Sequence, residues 1–339
     1  MTGLPVDSQL TIGLDVGGTK TALVVTDAAD GVRHTAVVPT DRAHLSAQLV
    51  DLARGAQLAF DAQPGQRVVA VGVAAPGRVD AAAGTVNSAV NLSPAALDVG
   101  SPIEAALGLP CFVEHDARAA AIWLAEQAPP DHPANLAYLS IGTGIAAGIV
   151  VDGSPLRGRN GLAGEVGHMV ADPAGPQCAC GLRGCLEALA AGPAIAQRAS
   201  TTRLSEGHLP AEPTRPAGSA SAVFDRAAAG DQAATRVVDE TAGYLAAAVR
   251  GLVLAFGVDR VVIGGGVASA GDGLLGPLLR ALDNERETSA LVDAALSNTS
   301  IELLPPESAA GARGAALIAR RGLNARQAVA AGGKGVSRG

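Results

Sequence analysis

The residues best suited to chemistry lie between Gly164 and Glu187, in the run GEVGHMVADPAGPQCACGLRGCLE. Three of the four cysteines, Cys178, Cys180 and Cys185, fall within eight residues, and His168 stands ten positions before the first of them. Thiolate and imidazole are the ligands Zn2+ prefers, and a Cys3His set closes a tetrahedral site with no position left for water, so the expected metal is structural. Gly181 and Gly184 allow the tight turn that brings nearby sulfurs to one ion. The competing readings are a chance cluster and a disulfide. Cys178 and Cys180, one residue apart, would make a strained bridge, and nothing in the chain signals an oxidising compartment. A zinc clip would also fix the backbone bearing Glu165 and Glu187, holding two carboxylates on one rigid knot suited to gripping a polyol.

Two glycine turns supply a second kind of chemistry. In LTIGLDVGGTKTALVVTD an apolar run ends in Asp15, turns through Gly17, Gly18 and Thr19, and resumes from Ala22. Such a turn lets backbone N–H groups approach a phosphate, the Thr hydroxyl adds a donor, and Asp15 can hold Mg2+ through water. An ordinary glycine-rich hairpin is the alternative for this stretch alone. The plan recurs in LSIGTGIAAGIVVD, with Gly142, Thr143 and Gly144 at the turn, so two lobes on similar cores are expected, each offering a loop to one phosphate chain. A third turn, Gly264, Gly265 and Gly266, leads into a helix and could lie against a base or ribose, although a tight turn explains it equally well.

The elements that must position these groups follow from periodicity. Ser46–Phe60 reads as an amphipathic helix, 67–74 as a buried strand ended by Ala75, Pro76 and Gly77, and Gly84–Val90 as a short strand leading to Asn91. Asn91 could bond a pair of sugar hydroxyls or simply form a turn. CFVEH at Cys111–His115 is a strand, followed by Asp116 and a helix over 117–127. Asp116 therefore stands where a strand feeds a helix, a position for N-caps and for catalytic groups alike; beside phosphate loops, a carboxylate there could accept a hydroxyl proton. The run Leu136–Val151, interrupted by Ser140, Gly142, Thr143, Gly144 and Gly148, reads as a buried hairpin and not a membrane span. Thr201–Ser221 is expected to be an exposed insertion, with helices over 225–256, the longer from Thr235, a strand at 260–263 and a helix over Ala309–Arg321. From Asn324 onward a frayed tail is expected.

A chain of 339 residues suggests two lobes of about 150 residues each. With 48% hydrophobic and 17% charged residues it has the balance of a folded globular protein, and its positive mean hydropathy reflects alanine and glycine, since aromatics are only 2%. A net charge of −7 without clustered Lys and Arg argues against a nucleic-acid surface. MTGLPVDSQL shows no basic segment followed by an apolar one, so a cytoplasmic protein with no membrane partner is expected.

Taken in order, DVGGTK from Asp15 to Lys20, the strand before Asp116, the turn at Gly142, GEVGH at Gly164, CACGLRGC at Cys178 and GGGV at Gly264 make the chain resemble the ROK family, the grouping of repressors, open reading frames and sugar kinases, from about Leu10 to Arg321. The spacing His-x9-Cys-x-Cys-x4-Cys is the most specific of these marks. The resemblance implies an α/β, two-lobed actin-like ATPase (ribonuclease H-like) fold with a hinge cleft and a structural zinc site of His168, Cys178, Cys180 and Cys185. Its implied first lobe is 1–128, joined by a C-terminal helix at 307–323. The second is 129–306, with a flexible tail at 324–339.

The resemblance further implies ATP-dependent phosphorylation of the 6-hydroxyl of a hexose or N-acetylhexosamine, glucose or N-acetylglucosamine foremost, with Mg2+ and structural Zn2+. Asp116 would be the catalytic base. Asn91, His115, Asp116, Glu165, His168 and Glu187 would hold the sugar, and Asp15, Gly17, Gly18, Thr19, Lys20, Gly142, Thr143, Gly144, Gly264, Gly265 and Gly266 the nucleotide. A homo-oligomer, dimer or tetramer, is also implied. Two departures fall on the sugar side: Glu114-His115-Asp116 stands where family glucokinases have Glu-Asn-Asp, and Ser93 and Pro94 follow Asn91 in place of a tryptophan. Because the family includes sugar-responsive regulators with a DNA-binding segment ahead of the first glycine loop, a regulator or non-catalytic sugar sensor is the alternative. The loop's place within twenty residues of Met1 and the presence of Asp116 favour the kinase. A zinc-binding interaction module would explain the cysteines but neither loop.

Overall fold

Apolar runs that break at glycine turns build the sheets of this molecule, and its computed structural model describes residues 8–87, 96–128, 134–205 and 219–332. In chain order the elements begin β1 (Gln9–Val16), β2 (Lys20–Thr26), β3 (Val32–Pro39), α1 (Leu45–Asp61), β4 (Arg67–Ala75), β5 (Arg78–Asp80), β6 (Thr85–Asn87), β7 (Leu97–Asp98), α2 (Gly100–Leu107), β8 (Cys111–His115) and α3 (Asp116–Glu126). They continue with β9 (Leu136–Ile141), β10 (Ile145–Val151), β11 (Ser154–Pro155), α4 (Leu186–Ala190), α5 (Gly192–Ser205), α6 (Ala220–Ala228), α7 (Gln232–Phe256), β12 (Arg260–Gly264), α8 (Asp272–Thr288), α9 (Ala290–Leu296), β13 (Ser300–Leu303) and α10 (Ala310–Gly332). Among the described residues no helix is long and apolar enough to cross a membrane.

The chain divides into two units: Met1–Gln127 with Arg157–Leu162 and Ala309–Gly339, and Ala128–Leu156 with Ala163–Ser308. The first unit holds a sheet in the order β3-β2-β1-β4-β8, in which β1 and β2 form an antiparallel hairpin and β4 and β8 run parallel to β1. The second holds β11-β10-β9-β12-β13, again a hairpin, β9 with β10, beside the parallel strands β12 and β13. The duplicated plan read from the glycine turns is thus a duplicated topology. One face of each sheet packs into a large core, through Ile12, Leu14, Val71 and Val73 in one unit and Leu139, Ile141, Val261 and Ile263 in the other. Alternating residues of the opposite face, such as Val24, Ala74, Tyr138 and Val262, are buried as well, so each sheet is a middle layer.

Local chemistry explains the helix limits. Asp231 caps α7 by accepting the Ala234 N–H, and Gly257, at φ 63°, ends it in the left-handed conformation. Helix α10 lies against β1 and β4 because those strands carry glycine at the crossing. A Cβ on Gly13 would sit 1.9 Å from the Ala312 carbonyl oxygen, and one on Gly72 1.9 Å from that of Ala315.

One expectation needs correction. Helix α10 does not end at Arg321 with a frayed tail from Asn324 but continues to Gly332. Its added turns consist mostly of helix-favouring residues, and Arg326 is anchored over the Phe112 ring at 4.6 Å. The strand expected at Gly84–Val90 is found over its described part as β6, which lies in a small sheet of order β5-β6-β7 that was not expected; residues 88–90 lie outside the described residues.

Candidate active site and metal centre

In the first unit the turn between β1 and β2 is held from outside by the β3–α1 connection. Thr40 donates its hydroxyl to the Gly17 carbonyl (2.8 Å) and its N–H to that of Thr19 (3.1 Å), while Arg42 Nε donates to that of Gly18 (2.8 Å). With these carbonyls taken up, Gly17, Gly18 and Thr19 are fixed in one conformation, the preorganisation a phosphate cradle requires. Asp15, at the end of β1, keeps a strip of accessible surface but is densely surrounded by protein. Burial first, and repulsion from Asp116 second, push its carboxyl up to about 7. Gly311 faces that carboxyl so closely that a Cβ would lie 2.3 Å from Oδ2. Lys20 opens β2 with its side chain exposed.

At the β8–α3 junction His115 takes an extended conformation (φ −64°, ψ 137°) and Asp116 is the first helical residue, in a chain turn that no side-chain cap closes. Asp116 Oδ1 accepts the Ala117 N–H at 2.7 Å and lies 3.4 Å from Nε2 of the buried His115. The carboxylate is 29% exposed, open enough to receive a ligand. Behind it Glu114 is buried between Arg118 and Arg157.

In the second unit Gly142 closes its turn by donating to the Gly144 carbonyl (2.9 Å), and Gly192, opening α5, donates to that of Gly142 (2.9 Å). Glu187 Oε2 accepts the Ile145 N–H at 2.9 Å, tying a proposed sugar ligand to the exit of the Gly142–Thr143–Gly144 turn. The third turn packs alongside: a Cβ on Gly142 would lie 3.9 Å from the Gly266 nitrogen. Gly265, at φ 84°, is the one position there where the backbone requires glycine, for a Cβ would also reach within 2.5 Å of the Ile141 carbonyl oxygen. Beyond it a single 3-10 turn, Gly266–Ala270, precedes α8.

His168, Cys178, Cys180 and Cys185 converge, with one ligand atom from each lying within 4.8 Å of all the others. Cys178 Sγ is 3.8 Å from His168 Nδ1 and Cys180 Sγ 3.6 Å from Cys185 Sγ, separations suited to the edges of a tetrahedron with metal–ligand bonds of about 2.0–2.3 Å. The four cysteines are free thiols, so this Cys3His cluster fits a zinc site and not a disulfide. His168 Nε2, the ring nitrogen other than the one nearest Cys178, faces Glu165 Oε2 at 3.9 Å, beyond hydrogen-bond distance.

The structure therefore gathers Asp15, Gly17, Gly18, Thr19, His115 and Asp116 within the first unit. Within the second it gathers Gly142, Thr143, Gly144, Gly264, Gly265, Gly266 and Glu187 around the turns, and Glu165 and His168 at the knot. Asn91, with Ser93 and Pro94, lies outside the described residues. Sequence reasoning missed Thr40, Arg42, Arg118 and Arg157. The spacing of four between Glu114 and Arg118 was a usable signal, but nothing in the run LRGRNG marks Arg157 as a partner of a residue 43 positions earlier.

A family model described as the ROK family matches residues 11–322. A glucokinase of Halalkalibacterium halodurans is 33% identical over 79% of this chain and 83% of its own. An N-acetylmannosamine kinase of Citrobacter koseri is 34% identical over 77% and 84%. Among solved structures, a ROK family transcriptional regulator homologous to the E. coli MLC protein superposes with TM-score 0.77 at 27% identity, over 92% of this chain and 78% of that one. A ROK family glucokinase from Streptomyces griseus in complex with glucose and AMPPNP gives 0.74 at 27%, over 92% and 99%. With the actin-like ATPase fold of these neighbours, its two glycine-turn hairpins and its Cys3His cluster, the chain belongs to the ROK family.

Proposed function

We propose that the protein is a sugar kinase that transfers the γ-phosphoryl group of ATP to the 6-hydroxyl of a hexose or N-acetylhexosamine, with glucose and N-acetylglucosamine the foremost candidates. The observation that carries this reading is Asp116. Its carboxylate stands accessible at the head of α3 with Oδ1 engaged by the Ala117 N–H, so that Oδ2 is the oxygen left to accept a proton. As the sugar oxygen bonds to phosphorus and the bond to the ADP oxygen breaks, the hydroxyl proton passes to Asp116.

Glu165, Glu187, His168, His115 and Asn91 hold the sugar hydroxyls in this reading. The peptide N–H groups of the Gly17 and Gly142 turns donate to the phosphates, and the Gly264–Gly266 turn takes the adenosine. Asp15 would hold Mg2+, which when bound would supply positive charge against the β- and γ-phosphates. Zinc at the Cys3His cluster takes no part in the chemistry and fixes the backbone that presents Glu165 and Glu187. The fit of that cluster and the kinase relatives, about a third identical over more than three quarters of this chain, support the reading.

A panel of glucose, N-acetylglucosamine, N-acetylmannosamine and mannose with ATP, read by coupled ADP release, tests it. We expect turnover with at least one sugar. Asp116→Ala should abolish that turnover while keeping sugar affinity within about tenfold, because the base acts on the transition state. Full activity in that variant refutes the assignment. The likeness to a ROK transcriptional regulator favours one other reading, a sugar-responsive regulator, for which sugar binding without ADP release is the distinguishing result.

A further inference from the structure

We propose that Glu114, clamped between Arg118 and Arg157, is a positioning device for Asp116, and that Arg157 is the residue through which the 157–162 segment sets the catalytic turn. This rests on the kinase reading for its catalytic consequence. Glu114 is only 2% exposed and stands two residues before Asp116 on β8. Its Oε1 accepts from Arg118 Nε (2.8 Å) and from the His115 backbone N–H (3.0 Å); its Oε2 accepts from Arg157 Nε (2.9 Å) and Nη2 (2.8 Å). Arg118 Nη2 donates in turn to the Gly161 carbonyl (3.3 Å). Both guanidinium groups therefore reach the segment 157–162, one from it and one toward it.

The arrangement is more than charge neutralisation. One buried arginine already balances a carboxylate, yet a second is recruited from a segment whose neighbours in sequence belong to the other unit. Burial pushes the Glu114 carboxyl up, but the attraction of Arg118 and Arg157 and the bonds from Arg118 and His115 outweigh it and hold the group below the usual carboxylate range. An ionised Glu114 pins the His115 N–H, and His115 is the extended residue from which α3 starts. The peptide that carries Asp116 is fixed on one side by this bond and on the other by Ala117. Arg157 can be changed without opening the core, because its side chain is 50% exposed while that of Arg118 is 2% exposed. Loss of Arg157 leaves Glu114 still paired with Arg118 but removes the donors to Oε2, and of these bonds only that from Arg118 to the Gly161 carbonyl still ties the segment.

The test compares Arg157→Met with Arg157→Lys in the full-length, zinc-loaded protein, using ATP and the best sugar of the panel. We expect both variants to fold, with kcat of Arg157→Met down by about tenfold, the loss that follows from misplacing a base by a fraction of an ångström. We expect the KM for ATP to stay within about twofold, since the glycine turns are untouched, and Arg157→Lys to recover most of kcat by restoring the charge. A purely structural role would lower thermal stability without this split between kcat and KM. A kcat within about twofold of wild type in Arg157→Met, or a Lys variant no better than Met, overturns the proposal. Amide hydrogen exchange over Glu114–Arg118 provides an arm independent of turnover. Faster exchange in Arg157→Met than in Arg157→Lys is expected, and equal protection in the two overturns the clamp. An inactive wild type with the exchange difference present would sink the kinase reading and leave the clamp standing.

Discussion

Asp15 is a carboxyl that the fold destabilises, and Asp15→Asn should show by how much. The group is pushed up from 3.8 to about 7, by burial and then by repulsion from Asp116. A carboxyl raised in the folded state binds a proton there that the unfolded chain has already released. Stability therefore falls as pH climbs from about 4 to about 7, and above that the full penalty is in place. A shift of about three units corresponds to about 4 kcal/mol at 1.36 kcal/mol per unit. The strip of Asp15 surface open to water screens part of this, so about 2 kcal/mol is the working figure at pH 8. With an unfolding entropy of about 0.7 kcal/mol/K for a chain of 339 residues, that raises Tm of Asp15→Asn above wild type by about 3 °C. The assay is thermal unfolding from pH 4 to pH 9 in buffer free of nucleotide and magnesium. The two curves should meet near pH 4 and separate steadily to pH 8. Asp116→Asn should move the wild-type fall to a lower pH, because it removes the second cause. Parallel curves, or an Asp15→Asn protein no more stable than wild type at pH 8, would refute the reasoning. In the kinase reading the stabilised variant should also lose turnover, since the same charge is needed to hold Mg2+.

Two further predictions probe the metal knot and the seat of the C-terminal helix. Cys180 is the exposed member of the Cys3His cluster, so, if the cluster holds zinc as proposed, Cys180→Ser should fold yet bind zinc weaker by at least about a hundredfold. Its sugar affinity should drop by about tenfold while ATP affinity holds, as measured by metal content and calorimetry; an equal loss of both ligands would contradict the assigned role of the knot. Gly72→Ala would drive a Cβ into the Ala315 carbonyl and should cost about 1–3 kcal/mol in thermal unfolding. Gly55→Ala, where nothing lies within 4 Å in the middle of α1, should instead gain about 0.5–1 kcal/mol, and equal effects at the two glycines would show that the close approach is not what selects Gly72.

What could be read from the sequence and what could not divide along a physical line. The hairpins β1–β2 and β9–β10 were legible because an apolar run interrupted by Gly-Gly-Thr or Gly-Thr-Gly is a local signal, and the Cys3His cluster because metal spacing is local as well. Strand β8 was found at its observed limits, since five residues rich in apolar types lead straight into a helical pattern. The small sheet β5–β6–β7 was not recognised, for strands of two or three residues carry no periodicity. The last turns of α10 were read as tail because they lie at the chain terminus, where fraying is the default, and the contacts of Arg326 with the distant Phe112 and Glu104 that tie them down are not local in sequence. The attachment of 157–162 to the first unit is equally non-local, fixed by Glu114 and the Gly161 carbonyl.

The first unit treats two of its carboxylates in opposite ways, and that contrast argues for function over mere packing. Glu114, the more deeply buried, receives two arginines and a peptide N–H and is held ionised. Among the described residues Asp15 receives no such compensation; the fold leaves it against Gly311 and within reach of the Asp116 field, which with burial pushes its carboxyl up to about 7. An amide in that position would be more stable than the carboxylate. The carboxylate is accounted for if the missing counter-charge arrives with a ligand: a cation bound near Asp15 would offset the burial cost and complete the ionisation. The same binding event would also lessen the repulsion that Asp15 and Asp116 exert on each other. On this account the pH dependence of stability measured with and without Mg2+–nucleotide should differ in the window from about pH 4 to pH 7, with the ligand flattening the fall. If the fall is unchanged by saturating ligand, Asp15 does not face the bound cation, and the role given to it in the phosphate site is wrong.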